Sequence, residues 1–428
     1  MPIHFIIVIF ILNNMTPIMP SPTAPDNPPG FRLPRNILVL GGVSLLNDTS
    51  SEMIYPLLPL FLTQTLGASA ASLGLIEGVA ESAVSLFKLF SGYLSDRLRR
   101  RKIWIGVGYA ASNAVRPLIA LAGSWPAVLA LRFADRIGKG LRTSPRDALV
   151  AESVPPEHRG RAFGFHRAMD HLGAVIGPLL AALLLWRLPD QLRLIFFLSA
   201  VPGVLVVLLV AGGLREIPGT VRESRVFQPL EAWRAVPIGF KRYLGVLLLF
   251  NLGNASDAFL LLKARQLGLP VLALPLLWSF HHVIKSATSV PGGRWSDRFG
   301  RKRLLLAGWL IYAAVYGLFA VARGAWTPWA LMGVYGVFFG LTEGVERALI
   351  ADLAPEALRG SVYGLYHMTV GFGSLLASVA FGLVWKWRGD RAAFLLGASL
   401  ALAAAVALAF LKGVSGGEPQ TGERRPGL

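Results

Sequence analysis

Several carboxylates lie inside long apolar stretches of this sequence, where they could exchange protons. Asp48 and Glu52 are four residues apart, so on a helix they share one face, with Asn47 and Tyr55 close by. Charges within apolar spans are costly, and they normally face protein or a water-filled cavity. A buried carboxylate without a firm cation partner can gain and lose a proton near the working pH. We therefore predict that Asp48 and Glu52 carry protons.

Further polar residues share single faces of other apolar stretches. At 100° per residue, Glu77 and Glu81 lie within about 40° of Lys88. Asp257 lies in an apolar stretch at residues 243–263, which corresponds to the stretch with Asp48 and Glu52 in an internal repeat described below. We predict proton coupling at Glu77, Glu81 and Asp257 as well. The candidates for lining a substrate cavity are Asn47, Tyr55, Lys88, Arg132, Asp135, Arg136, Lys139, Asn251, Asn254, His281, Lys285, Glu343 and Glu346.

A static ion pair between helices is the alternative explanation for each of these charged residues. Arg116 is an isolated basic residue, and we expect it to have an acidic partner that the sequence does not identify. If Asp135 is structural, it pairs with Arg132 or Arg136. In the same interpretation Arg142 reaches water by extending its side chain to the membrane edge.

The sequence offers little support for a metal, a cofactor or an enzyme active site. It contains no cysteine, which excludes disulfides and thiolate metal sites. His281 and His282 are adjacent, so on a helix they point about 100° apart, and no third ligand is evident. The loops hold no nucleophile with a plausible base and no phosphate-binding loop. We therefore expect no metal site, no cofactor and no enzymatic activity.

The composition indicates a membrane protein. Of the 428 residues, 54% are hydrophobic and only 15% are charged, whereas about 25% charged residues are usual in soluble domains. Segments of about 20 apolar residues are long enough to cross the hydrocarbon core as helices. Twelve such segments are predicted at residues 36–62, 72–94, 103–123, 126–146, 161–186, 193–213, 243–263, 270–293, 304–322, 328–350, 361–385 and 392–411. The predicted fold class is an all-α polytopic membrane protein.

The excess of basic residues predicts the orientation. There are 42 Lys and Arg against 24 Asp and Glu, and in a soluble chain a net charge of +18 would suggest nucleic acid. Here most loop cations lie on the side that holds both termini and the middle linker, as cytoplasmic loops do. We expect both termini in the cytoplasm and the chain in a bacterial inner membrane. The expected partners are the bilayer, a small-molecule substrate and protons, without nucleic acid or a required oligomer.

An internal repeat divides the chain into two halves. ALVAESVPPEHRGRAFG (148–164) matches ALIADLAPEALRGSVYG (348–364), and GYLSDRLRRRK (92–102) matches GRWSDRFGRKR (293–303). A repeat of six spans places both halves in the same orientation, so the repeats are parallel and enclose a site between them. The predicted divisions are an N-terminal tail (1–35), a six-helix bundle (36–214), a cytoplasmic linker (215–242), a second six-helix bundle (243–412) and a C-terminal tail (413–428).

The matching loops resemble the loop between helices two and three of the major facilitator superfamily. The copy at 293–303 contains every residue of that loop motif. In the copy at 92–102, Arg99 replaces the second glycine of the motif. The resemblance covers residues 36–412 and implies twelve helices, alternating access and secondary transport. We predict that these loops act as a conformational latch. Its residues are Gly92, Asp96, Arg97, Gly293, Asp297, Arg298 and Arg301. The alternative is that the basic run only fixes the topology.

Two further stretches resemble motifs of the same family. LRFADRIGKG resembles its fourth-helix motif, with Arg132 at the motif's arginine and Asp135 and Arg136 as departures. HLGAVIGPLLAAL resembles the antiporter motif of helix five through Gly173, Gly177 and Pro178, although alanines replace its final glycines. Small residues spaced by four allow helices to approach closely, which would explain this motif without any export function.

The preferred function is therefore proton-coupled export of a small organic molecule, similar to a drug/proton antiporter. Proton symport that imports an anionic metabolite is the alternative within the same superfamily. A polytopic membrane enzyme or receptor is a less favoured class.

The N-terminus leaves the translation start open. Residues 5–12 are apolar but too short to span a membrane, and they lack the basic start of a signal peptide. We expect either that translation begins at Met15 or Met19 rather than at Met1, or that this segment lies on the membrane.

Overall fold

The computed structural model describes residues 33–98, 100–155, 158–217, 233–354 and 359–412, and the regular structure in these ranges is helical. Residues 1–32, the middle of the linker and residues 413–428 lie outside the described residues, and with them the translation start, most of the predicted N-terminal tail and the whole predicted C-terminal tail. The helices are α1 (Arg35–Ile54), α2 (Ala70–Leu98), α3 (Arg101–Val115), α4 (Trp125–Glu152), α5 (Arg159–Arg187), α6 (Leu192–Leu198), α7 (Ala200–Gly213), α8 (Ile238–Gly253), α9 (Ala258–Gln266), α10 (Ala273–Phe299), α11 (Arg301–Val321), α12 (Thr327–Leu353), α13 (Arg359–Arg388) and α14 (Asp390–Phe410).

These helices fall at the twelve predicted ranges, and their ends differ from the predicted ones by up to eight residues. Seven helical segments of the described residues are by themselves long and apolar enough to cross a membrane. They are Ala70–Lys88, Arg159–Arg187, Leu192–Gly213, Ile238–Gln266, Arg301–Val321, Ser361–Arg388 and Asp390–Phe410. Among the other predicted ranges, the first is interrupted and α4 carries several charges.

The first and seventh predicted spans are broken at corresponding places. After α1 the backbone continues as a 3₁₀ turn at Tyr55–Leu57, a short helical turn at Leu58–Leu60 and a π-helical turn at Phe61–Thr65. Proline cannot donate a backbone hydrogen bond, so Pro56 and Pro59 prevent a continuous helix there. In the second half the chain leaves the helical conformation at Asn254–Asp257, between α8 and α9. Polar residues at these breaks therefore lie beside irregular backbone.

Most close helix contacts form within each half of the chain. In the first half α1 packs on α5 and α7, and α4 packs on α2 and α3. In the second half α10 packs on α12, while α14 packs on α8 and α11. Two large contacts join the halves, α2 with α13 and α5 with α10.

Two glycines allow α2 and α13 to touch through their backbones. A Cβ atom added to Gly74 would lie 2.1 Å from the carbonyl oxygen of Ser378. One added to Gly382 would lie 2.5 Å from the carbonyl oxygen of Ala70. We name the membrane face nearest this contact the opposite face, and the face where the linker joins α7 to α8 the linker face. The halves are therefore closed together toward the opposite face.

On the linker face the repeated basic residues hold the helix ends of their own halves. Lys102 donates to the carbonyl of Ala211 at the end of α7 (3.0 Å), and Lys302 donates to the carbonyl of Ala409 at the end of α14 (3.0 Å). Cations are favourable at helix C-termini because they compensate the unpaired carbonyl groups there. The two halves repeat this contact in three dimensions.

The same loops form a second repeated contact, between an arginine and an acid. Arg101 pairs with Glu152 at 2.7 Å, and Arg301 pairs with Asp352 at 2.6 Å. Between α10 and α11, Gly300 adopts a φ of +91°, a conformation that favours glycine and accounts for the glycine of the motif. Arg99, which replaces that glycine in the first half, lies outside the described residues.

Candidate functional site

The first half contains a buried ion pair at its centre. Arg132 on α4 donates from Nη2 to Oε1 of Glu77 on α2 at 2.6 Å, and both side chains are buried. Ser256 of the second half donates to the other oxygen of Glu77 at 3.2 Å. The predicted proton role of Glu77 required a carboxylate without a cation partner. Glu77 has such a partner in Arg132. Its contacts make it a link between α4 and the second half.

Arg116 is the main partner of Asp135. Its Nε lies 2.9 Å from Oδ1 of Asp135, and both residues are buried. Arg132 and Arg136, the partners that the sequence suggested, are farther away at 4.0 and 3.9 Å. Arg116 also donates to the side-chain oxygen of Asn47 on α1 at 3.1 Å. Asp135 and Arg116 thus fasten α3 to α4 and α1.

The remaining cations of α4 have different surroundings. Arg136 is 3.9 Å from Glu81, whose side chain is 48% exposed. Lys139 is half-buried and has no ion pair within 4 Å among the described residues, although its charge interacts with those of Glu81 and Asp48. Arg142 is buried and donates to Ser112 at 2.7 Å, so it does not extend to water as the structural interpretation expected.

On α1 two acids lack an ion pair among the described residues. Asp48 accepts a hydrogen bond from Asn47 at 3.0 Å. Glu52 accepts one from the indole nitrogen of Trp278 on α10 at 2.7 Å, and this bond joins the two halves. Tyr55, at the end of α1, packs its ring on Trp278 with centroids 5.0 Å apart. The two acids predicted first are thus half-buried, without a cation partner, and one of them contacts the other half.

The motif glycines of α5 bring that helix against these acids. A Cβ atom added to Gly173 would lie 2.4 Å from the carbonyl oxygen of Leu45, and one added to Gly177 would lie 2.6 Å from that of Thr49. Gly177 also faces the Cβ of Glu52 at 2.9 Å. Pro178 is buried within α5. The motif therefore positions α1 and its two acids through close packing.

In the second half, tyrosine hydroxyl groups hold two acids that lack cation partners. Tyr335 donates to Asp257 at 2.6 Å, beside the break between α8 and α9. Tyr366 and Tyr243 lie 3.2 and 3.5 Å from the two carboxylate oxygens of Glu346. No ion pair within 4 Å involves either acid among the described residues.

The other predicted residues of α10 and α12 form an ion-pair chain. Lys285 lies 2.9 Å from Glu343, which also pairs with Arg347 at 3.0 Å. Lys285 is therefore compensated in this conformation. His281 is buried, contacts the carbonyl oxygen of Met332 at 3.2 Å and stacks on Tyr335, so it belongs to the packed interior.

Three further candidates have different surroundings. Asn251 is buried and donates to the carbonyl of Leu247 in its own helix at 2.9 Å. The side chain of Asn254 is half-buried at the helix break. Lys88 contacts Nε2 of His367 on α13 at 3.2 Å, which is another contact between the halves.

The second copy of the predicted latch is largely open to solvent. Asp297 is exposed, and no hydrogen bond or ion pair links it to another described side chain. Arg298 is exposed as well, and a Cβ atom on Gly293 would meet nothing within 4 Å. Arg301 pairs with Asp352 of its own half. In the first copy, the surroundings of Gly92 and the side chains of Asp96 and Arg97 lie outside what the structure describes.

Accessible charges occur from the middle of the helices toward the linker face. Glu81 and Arg347 have side chains 48% and 43% exposed, and Glu343 is 32% exposed. The close backbone contact of α2 with α13 lies toward the opposite face. The arrangement corresponds to two halves that are joined near one face and accessible from the other.

A comparison with known families settles the class of this protein. The family model of the Major Facilitator Superfamily matches residues 40–284 and 258–427. The chain belongs to the major facilitator superfamily. It is therefore a secondary transporter and not an enzyme, a multi-pass integral membrane protein that moves a small molecule.

Superfamily relatives match over most of their lengths. An uncharacterised MFS-type transporter of Methanocaldococcus jannaschii is 33% identical over 89% of this chain and 95% of its own. The multidrug resistance protein MdtH of Cronobacter sakazakii is 26% identical over 79% of this chain and 83% of its own. A Na⁺, Li⁺, K⁺/H⁺ antiporter of Planococcus maritimus is 23% identical over 83% and 90%.

Solved structures of the superfamily share the fold. The nucleoside transporter NupG is 16% identical, with a TM-score of 0.71 over 87% of this chain and 98% of its own. A D-xylose–proton symporter is 19% identical, with a TM-score of 0.69 over 90% and 99%. These likenesses confirm the predicted fold class.

Sequence reasoning missed several residues that the superfamily fold brings to the centre. Trp278, Ser256 and Tyr335 are uncharged, so a search for charges in apolar spans passes over them, yet each contacts a predicted acid. Gly74 lies in no motif recognised from the sequence. Regular spacing of Gly74, Gly78 and Ser82 along α2 is the signal that could have indicated a close helix contact.

Proposed function

We propose that this transporter is a proton-coupled exporter of a small organic molecule, similar to a drug/proton antiporter. The observation that carries the proposal is the hydrogen bond from Trp278 to Glu52. It joins the two halves through a carboxylate that has no ion-pair partner within 4 Å among the described residues. A carboxylate in such a place can be discharged by a proton at little cost in lost ion pairing.

Protonation at Glu52 would then act on the contact between the halves. A carboxylate accepts a stronger hydrogen bond from an indole N–H than a neutral acid does. Binding of a proton therefore weakens the Glu52–Trp278 contact and favours separation of the halves toward the opposite face. Asp48, four residues away on α1, and Asp257, at the break in the second half, are the next proton sites. Glu81 is a further site, since its exposed carboxylate faces the linker side.

Export is supported by two observations. The α5 motif resembles the antiporter pattern of this superfamily at Gly173, Gly177 and Pro178, and it packs directly on the helix that carries Glu52. Two relatives bear names that describe a multidrug resistance protein and a cation/proton antiporter. We extend that activity to this chain as part of the proposal.

The domain limits and the orientation also belong to the proposal. The chain consists of two six-helix bundles (36–214 and 243–412) joined by a cytoplasmic linker, and it lies in a bacterial inner membrane with both termini in the cytoplasm. Because the chain has no cysteine, Gln266→Cys and Arg303→Cys each provide a single labelling site. A membrane-impermeant maleimide added to intact cells should label Cys at 266 and not at 303. The reverse pattern would contradict the orientation.

The junction of α10 and α11, with Asp297 in the last turn of α10, is proposed as a conformational latch. Asp297 has no partner among described side chains while the charges near the linker face are accessible. When the halves close at that face, Asp297 would meet the N-terminus of α5, where a carboxylate is favoured by the unpaired backbone N–H groups. Asp96 has the same role in the first half.

Proton symport of an anionic metabolite into the cell is the second candidate. Lys139 supports it, because this half-buried cation has no ion pair among the described residues and lies near the accessible Glu81. An anionic substrate would supply the missing counter-charge.

One experiment series separates these functions. Untargeted comparison of metabolites in cells with and without the protein identifies which compound accumulates and on which side. Purified protein in liposomes containing a pH-sensitive dye is then given that compound under an imposed proton gradient. Export requires opposite movement of protons and substrate, and symport requires movement in the same direction. Transport that ignores the gradient would contradict both.

A further inference from the structure

One face of α10 carries polar atoms that no other part of the described chain satisfies. Both ring nitrogens of His282 and the hydroxyl oxygen of Ser286 are buried and have no hydrogen-bond partner. The two residues are four apart on α10, so their side chains lie one above the other on the same face. Buried polar atoms in proteins almost always have partners, so a group of three in one place requires an explanation.

This face adjoins the site described above. Trp278 lies one turn before His282, and the two rings meet edge to face with centroids 4.9 Å apart. Trp278 in turn donates to Glu52 and packs on Tyr55. His171 of α5 is close enough for its charge to interact with that of His282. The unsatisfied atoms thus lie between the halves, beside the indole that connects them.

The neighbouring charges indicate what kind of group could bind. Lys285, next to Ser286, is already paired with Glu343 at 2.9 Å. Glu52, bound to Trp278, would repel an anion. His282 as an uncharged imidazole offers one donor and one acceptor, and the Ser286 hydroxyl offers both functions. An uncharged group that donates and accepts hydrogen bonds satisfies these atoms, whereas the positive charge of Lys285, which acts on the His282 ring, disfavours a cation there.

We propose that His282 and Ser286 bind an uncharged hydroxyl or carboxamide group of the transported molecule, with the Trp278 ring against its apolar part. This inference rests on the proposed transport function in taking the bound molecule to be the substrate. It adds the chemical class of the group that is recognised. The described residues contain no cluster of three His, Asp or Glu side chains that could hold a metal ion at this place.

A series of probes of equal size and different charge tests the proposal. Acetamide, acetate and acetamidinium are each added at millimolar concentrations to the full-length protein in lipid nanodiscs, with ¹⁵N-labelled histidine. The His282 ring signals are identified by their loss in His282→Gln. Acetamide is expected to shift these signals to saturation, while acetate and acetamidinium shift them at least tenfold less at equal concentration.

A pair of serine variants on α10 provides the matched control. Ser286→Ala should weaken acetamide binding at least fivefold. Ser289→Ala should leave it unchanged, because Ser289 donates to the carbonyl of Lys285 in its own helix. Ser286→Ala should also leave the melting temperature unchanged or higher, since its hydroxyl has no partner to lose. A lowered melting temperature would mean that the hydroxyl has a structural partner, and the proposal would fail.

The other outcomes are equally decisive. Equal binding of acetate and acetamide, or ring signals that respond to no probe, would overturn the proposal. The second result would mean that water alone fills the site. Because this binding experiment involves no proton gradient, it can fail while proton-coupled transport is demonstrated, and the reverse also holds.

Discussion

The hydroxyl groups of Tyr55 and Ser256 lie 3.4 Å apart, and these two residues occupy equivalent positions in the two halves of the chain. Their numbers differ by 201, the shift that aligns the repeated loops at 92–102 and 293–303. In a pair of parallel repeats, equivalent residues that touch lie at the axis relating the halves. Glu77 and Trp278 contact this pair, so the candidate site lies at the centre of the molecule.

Glu52→Gln should abolish the response of transport to a proton gradient. Glutamine retains an oxygen that can accept the hydrogen bond from Trp278, so the free energy of unfolding should change by about 1 kcal/mol or less. The measurement is substrate-driven pH change inside liposomes. Trp278→Phe is the matched variant, because it loses the bond and keeps the acid. It should still bind the proton but couple it to transport more weakly, because no bond between the halves is then left for the proton to weaken. Full coupling in Glu52→Gln would contradict the assignment.

Arg132→Met should destabilise the protein strongly, because it leaves the Glu77 carboxylate buried without a cation. The expected loss is about 3–5 kcal/mol in the free energy of unfolding. Adding Glu77→Gln removes the uncompensated charge, retains an acceptor for Ser256 and should restore most of that loss. Arg301→Met is the control, because its pair with Asp352 is partly exposed and should contribute about 1 kcal/mol or less. Denaturant titration of the four proteins measures these differences, and equal costs for both arginines would argue against the buried pair.

Gly74→Ala should separate the halves at the opposite face. The added methyl group would lie 2.1 Å from the carbonyl oxygen of Ser378, so α2 and α13 must move apart. Spin labels at Gln64→Cys and Gln266→Cys should report longer distances in this variant by pulsed electron paramagnetic resonance. Gly245→Ala is the control, since an added Cβ there meets nothing within 4 Å. An unchanged distance distribution in Gly74→Ala would show that the contact is not close in the membrane.

Asp297→Asn should shift the conformational equilibrium without changing stability in the present conformation. Asp297 is exposed and has no partner among described side chains here, so its charge can matter only after closure at the linker face. Labels at Gly160→Cys and Arg303→Cys measure the separation of the halves at that face. We expect a larger fraction of long distances in the variant. The latch proposal fails if the fractions match those of the parent protein.

The helices could be predicted from the sequence, but the partners of the charges could not. Apolar stretches and the internal repeat locate the helices, because both patterns can be recognised directly along the chain. By length and apolar composition alone, only seven helical segments of the described residues qualify as spans. Asp135 has three arginines within reach, and its shortest contact is with Arg116 on a neighbouring helix. That choice depends on the rotation and tilt of α3 against α4, which glycine contacts such as Gly108 with Gly138 determine. Neither quantity can be obtained from spacing along one helix.

Histidine shows the same limit within a single helix. His281 and His282 are neighbours, and only His281, four residues before Lys285, is among the residues predicted to line the cavity. The packing of α10 against α12 buries His281 against Tyr335 and leaves the ring nitrogens of His282 without partners. The face that a helix turns toward its neighbours is decided by all its contacts together.

Every ion pair between described side chains joins two residues of the same half. The polar contacts between the described side chains of one half and the other half are instead hydrogen bonds, such as Ser82 to the carbonyl of Gly371 and Ser279 to that of Val175. Water can replace a hydrogen bond at small cost, whereas a buried ion pair would have to be pulled apart in a medium of low dielectric constant. The strong electrostatic interactions therefore stabilise each half separately. The interface between the halves depends on hydrogen bonds that can break and re-form during thermal motion.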